Sequence, residues 1–287
     1  MRHVPITKSS FRILKSICST LDPISTNDRW RILQSWTRFV RYYASTSLTN
    51  ESDKLIAISA LAREMKPLMQ CQYFAGLWET DLVIQLGWTN RRTGARPTKY
   101  RAPSWSWASI DGGYESPYHF YGHGLQYLPL LEILATHVEP VGDDEIGQVK
   151  GGYIDVSCQL LPIKLHFQYE ALDIPELFIE DTSTPLRFFA DATTPIDLGR
   201  RLYFMPLALL GMDELLATGL VLHRIEQLGL PDVYQRVGTI EPLEFDPLLR
   251  QDPLLDMLGS VNWDDKSNDI NNIFVRAEPK MTTIRVV

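Results

Sequence analysis

Arg101-Ala-Pro-Ser-Trp-Ser-Trp-Ala-Ser-Ile-Asp-Gly112 is the stretch whose reading decides the fold. Two tryptophans two residues apart, separated by serine, predict an extended segment with Trp105 and Trp107 on one face and hydroxyls on the other. An indole pair is a large, directional hydrophobic load, so the first expectation is a packed joint. Trp78 and Trp88 are expected to join the same core cluster. Arg101 adjoins it, placed for a cation–π contact with Trp105 or Trp107. Part of the cluster, with His119 and Tyr121 nearby, is a candidate pocket or contact surface.

Upstream, the apolar spacing is helical. Asn27 or Asp28 opens a helix to about Tyr43, with Trp30, Leu33, Trp36, Val40 and Tyr43 on one stripe. Thr49 or Asn50 caps a second, whose stripe is Leu55, Ile58, Leu61, Ala62 and Met65, ending before Pro67. A third is predicted over Gln72–Leu86. Asn90–Tyr100 carries Arg91, Arg92, Arg96 and Lys99 and reads as an exposed basic loop, suited to an anionic ligand or an acidic partner surface if it does more than solubilise.

Downstream, the pattern turns to strands: Leu131–Val138, Tyr153–Phe167 (with Pro162 marking an edge or bulge), Arg187–Ala190, Arg201–Leu209, Thr218–Ile225, Val233–Ile240 and Thr282–Val287. Leu248–Leu258 reads as a short helix. The fold class expected is α+β: a short N-terminal helical layer packed on a mainly antiparallel sheet, sandwich or barrel-like. The divisions are an N-terminal extension (1–26), a helical tail with the basic loop (27–100) and a β-rich region (101–287).

Composition sets the bounds. Apolar content of 45% predicts a real core, and the net charge of −7 argues against nucleic acid as the partner. Cys18, Cys71 and Cys158 lack metal or disulfide spacing and read as reduced thiols of a cytoplasmic protein. No apolar run reaches the length of a membrane span.

Candidate chemistry is sparse. His119 and His123 are four apart, but Pro117, Gly122 and Gly124 disfavour the helix that would pair them on a metal. Asp143-Asp-Glu145 reads as a solvated turn. Ser104, Ser106 and Ser109 lack the glycine-flanked elbow of a nucleophile. No phosphate loop or dinucleotide fingerprint occurs. No cofactor or metal is expected, and no catalytic residue is assigned. Arg236 is expected to pair with a buried carboxylate, Asp111 or Glu79.

Several of these stretches resemble one family in order and spacing. Asp53-Lys-Leu-Ile-Ala-Ile-Ser-Ala-Leu-Ala62, Tyr73-Phe-Ala-Gly-Leu-Trp78 with Asp81-Leu82 and Leu86-Gly-Trp88, and Ala102-Pro-Ser-Trp-Ser-Trp-Ala-Ser109 are similar to segments of fungal heterokaryon incompatibility (HET) domain proteins. So are Val138-Glu-Pro-Val141, Gly147-Gln-Val-Lys-Gly-Gly152, Gly219-Leu-Val-Leu222 and Tyr234-Gln-Arg-Val-Gly238. The family's opening segment has no counterpart, so the resemblance implies the C-terminal part of such a protein. It implies nonself recognition and programmed cell death through protein–protein interaction, without carrying over the killing activity. The function expected is non-enzymatic: recognition, or regulation of a full-length HET relative. The alternative is a small-molecule-binding or enzymatic accessory protein of a fungal biosynthetic cluster.

Overall fold

The computed structural model describes residues 26–46, 48–90, 94–116, 126–166, 176–179, 185–192, 201–211, 215–227, 230–240, 258–261, 274–276 and 280–287. Two helices lead. Helix α1, Thr26–Ala44, buries Ile32, Leu33, Trp36, Val40 and Tyr43. Asn50 caps a single 3-10 turn, Glu51–Asp53, that runs into α2, Lys54–Met69, which buries Leu55, Ile58, Leu61, Ala62 and Met65. These are the stripes that helical spacing requires. Helix α2 passes through Pro67 instead of stopping before it. Buried Met69 holds the final turn, and Gln70, in the left-handed region, closes it by donating its N–H to the Lys66 carbonyl.

The third helix expected from Gln72 is two structures. Strands β1, Tyr73–Phe74, and β2, Leu77–Trp78, form a hairpin, and α3 spans only Leu82–Leu86. Ala75 and Gly76 both have positive φ (45° and 101°), the primed turn that joins two strands through two residues. Apolar spacing suited to a helix lost to this turn chemistry. The Gln85 side chain then clasps Trp78 from both sides, accepting from its N–H and donating to its carbonyl.

The remainder is β3 (Gln126–Pro129), β4 (Glu132–Pro140), β5 (Val149–Cys158), β6 (Leu161–His166), β7 (Glu176–Ile179), β8 (Pro185–Ala190), β9 (Leu202–Gly211), β10 (Leu215–Gln227), β11 (Leu230–Ile240) and β14 (Thr282–Val286) in one curled sheet. Strands β12 (Gly259–Val261) and β13 (Phe274–Arg276) form a separate pair. Every described pairing is antiparallel except β11 with β14. The architecture is therefore α+β with a barrel-like sheet. Pairings run β10–β9–β6–β7–β8–β11 and return from β11 to β10. Beyond this ring, β14, β5 and β4 extend the sheet from β11. Pro162 pairs with Tyr203 of β9, whereas β7 joins β6 only from Ile163 onward, so the proline has a strand neighbour on one side alone.

Strand alternation divides the interior in two. Ile163, Phe188, Phe204, Leu209, Val221 and Ile240 fill the inside of the curl. Met205, Leu220, Leu222, Tyr234, Ile154, Val156, Ile284 and Val286 face the helical layer and merge with its tryptophans. Gly219 and Gly238 let the curl tighten: the rings of Phe204 and Phe188 occupy the space a β-carbon would need there.

Candidate functional site

The Trp-Ser-Trp segment is a turn and a 3-10 helix, Trp107–Ser109, not a strand. The Ser106 side chain caps that helix by accepting from the Ala108 N–H, which bends the chain where alternation predicted extension. Both indoles are nonetheless buried, as are those of Trp78 and Trp88.

What the tryptophans hold is the tip of the β1–β2 hairpin. The Gly76 carbonyl accepts an indole N–H from Trp107 at 2.9 Å and another from Trp36 of α1 at 3.2 Å. Ser106 donates to the neighbouring Ala75 carbonyl. Trp88 donates to the Trp105 carbonyl at 2.8 Å. Trp36, Tyr73 and Trp78 meet edge to face with centroids 5.0–5.9 Å apart. Hairpin, helix α1 and tryptophan segment are thus one interlocked unit.

The three serines are committed to the backbone. Ser104 donates to the Val287 carbonyl and accepts from the Arg236 N–H; Ser106 donates to the Ala75 carbonyl and accepts from the Ala108 N–H; Ser109 donates to the Ser104 carbonyl.

Arg236, on the strand face toward the helical layer, is fully buried. Its partner is Asp191, also buried, rather than Asp111 or Glu79. Nε and Nη2 approach the carboxylate at 3.0 Å, Nη1 donates to the Leu86 carbonyl at 2.6 Å, Nη2 reaches the Trp88 carbonyl, and the guanidinium stacks on the Trp88 ring at 3.4 Å. A planar donor fork suits this combination of stacking and forked hydrogen bonding. Asp111 instead serves Arg101 (2.8 Å) and Lys54 (3.6 Å), and the Glu79 carboxylate accepts from the Gln72 N–H.

Arg101 is buried and donates to the carbonyls of Ala108 and Glu51. Among the described residues, the cations lying over tryptophan rings are Lys54 over Trp107 and Arg236 over Trp88, so the contact expected of Arg101 is made by others. Lys54 is buried and donates to the Ile110 carbonyl. Burial, reinforced by the Arg101 charge, lowers its pKa from 10.5 to about 8, against the opposing pull of Asp111.

The basic loop is only partly exposed. Asn90 and Gly94 are buried, Arg96 is half-buried, and Lys99 and Tyr100 are exposed. Its second half walls an open cavity of about 490 Å³, which Arg101 and the Ser104 and Ser109 region also line. Strand β5 contributes Gly151 and Gly152, and the β10–β11 side contributes Ile225 and Glu226. Sequence reasoning missed this cavity because its walls come from segments far apart in the chain. Trp105 and Trp107 are absent from its lining. His119, Tyr121, His123, Arg91, Arg92 and the helix expected before Leu258 lie outside the described residues.

The Asp143–Glu145 turn is exposed, and its carboxylates reach α2: Asp144 pairs with Arg63 and Glu145 with Lys66. No helix among the described residues is long and apolar enough to cross a membrane. Comparison with protein-family models, with curated proteins and with solved structures finds no match to this chain.

Proposed function

We propose that the chain is a HET-like recognition or regulatory protein that acts by contact with another protein, a full-length HET relative being the partner of first choice. One observation carries the reading. The residues that resemble the family's motifs, Tyr73–Trp78 and Ala102–Ser109, meet as a single hydrogen-bonded unit about the Gly76 carbonyl. Such residues serve architecture: they weld the helical layer to the sheet and leave the outer surfaces free for contact. The serines of the segment are spent on backbone partners, as a scaffold requires. Exposed Tyr42 on α1 and Ile56 on α2 give the helical layer apolar contact groups.

The test is a pulldown of a purified full-length HET protein by this chain. Retention through moderate salt is expected, with loss on Tyr42→Glu and Ile56→Glu together in a variant of unchanged thermal midpoint. Failure of the parent chain to retain any HET protein would overturn the proposal.

A further inference from the structure

We propose that the cavity between the basic loop and the β10–β11 hairpin binds an amphipathic organic anion, an apolar body carrying one carboxylate- or sulfonate-type group. This goes beyond the protein-contact reading and does not depend on it.

The first observation is charge balance. Two carboxylates beside the cavity each serve two cations. Asp191 is shared by Arg236 and Arg96, at 3.0 and 3.5 Å. Asp111 is shared by Arg101 and Lys54, at 2.8 and 3.6 Å. Each cluster thus carries one uncompensated positive charge, and one cation of each, Arg96 and Arg101, lines the cavity. Lys99, exposed on the same wall, adds a third; among the described lining residues they face the Glu226 side chain and the carboxylate of the last residue, Val287. The two cluster charges and Lys99, set against these two carboxylates, leave a local excess of one positive charge in a chain of net charge −7, and low-dielectric walls focus such a field into a cleft.

The second observation is shape and polarity. A volume of about 490 Å³ lies in the range of small-ligand sites. Pro97, Ala102, Ile225 and Val287 give it apolar walls, and the half-exposed Tyr100 ring stands at the same wall as Lys99. Gly151 presents no side chain on the β5 side; the group nearest the position of a β-carbon there is the Glu139 carboxylate, which is paired with Lys150. A ligand with an apolar body fills those walls while its anionic group offsets the excess charge. Inorganic phosphate alone would leave the apolar walls wet.

The experiment titrates the full chain with anilinonaphthalene sulfonate, read by fluorescence, and uses uncharged N-phenylnaphthylamine as a matched apolar body without the charge. One saturable site is expected for the sulfonate, weakened by salt, and the uncharged probe should not displace it. Lys99→Glu should weaken binding about tenfold and Glu226→Lys should tighten it several-fold, since each reverses one charge at the cavity. Gly151→Leu should block the site. No saturable binding, equal displacement by the uncharged probe, or an affinity indifferent to both charge changes would overturn the proposal. These outcomes are independent of whether a HET protein is retained.

Discussion

The guanidinium of Arg236 and the carboxylate of Asp191 face each other across 3.0 Å with both side chains essentially sealed from water. Asp191 is further tied by its own backbone: its N–H donates to the Val237 carbonyl, and its carbonyl accepts from Asn90. Strand β11, the turn after β8 and the α3 exit are therefore joined through one charged pair.

Removing one member leaves the other charge buried. Asp191→Leu is expected to cost about 3–5 kcal/mol in denaturant unfolding, while Arg236→Met combined with Asp191→Leu should cost well under the sum of the single changes. Additive losses would show that the two groups do not act as a pair.

Gly76 is constrained twice, by a φ of 101° and by a β-carbon position 2.5 Å from the Trp107 indole nitrogen. Gly76→Ala should cost more than the ~1–3 kcal/mol of backbone strain alone, because the indole must also move. Gly142 is the matched control: its φ is 151° but nothing lies within 4 Å of the added carbon. Equal losses for Gly76→Ala and Gly142→Ala, by thermal or urea unfolding, would remove the indole from the account.

Lys54 makes a pH-dependent contribution whose sign is fixed. Its pKa falls from 10.5 to about 8 on folding, so between those values the unfolded chain holds more protons and stability rises with pH. Cys158 works the other way: burial pushes its thiol from 9 up to about 12, and stability is lost above pH 9. The difference between the parent and Lys54→Met isolates the lysine. Between pH 8 and 10 the parent should gain roughly 2 kcal/mol relative to the variant. A constant difference would mean that Lys54 titrates normally.

The helical stripes and most strands were legible because burial on one face imposes a period, and Leu33, Trp36, Val40 and Ile154, Val156, Cys158 keep to it. The burial of Trp105 and Trp107 was legible from residue type. Their local conformation was not, because a serine cap outweighs alternation over so short a stretch. The Ala75–Gly76 turn sat inside an apolar spacing that also suits a helix, and only its backbone angles separate the two. The partner of Arg236 was legible as a need and not as an identity: Asp191 lies 45 residues away in a connection with no pattern of its own. The cavity is the extreme case, since its walls come from the basic loop, β5, β10 and β11.

Strand β14 lies between β11 and β5, in parallel register with one and antiparallel with the other. A nascent chain leaving the ribosome can zip β4 to β5 and β10 to β11 as soon as each hairpin emerges. It cannot complete the sheet between those two halves until residues 282–286 have been synthesised and paired with both. Until then, β5 and β11 each present open backbone where β14 will pair, a vulnerable interval that chaperones exist to shield.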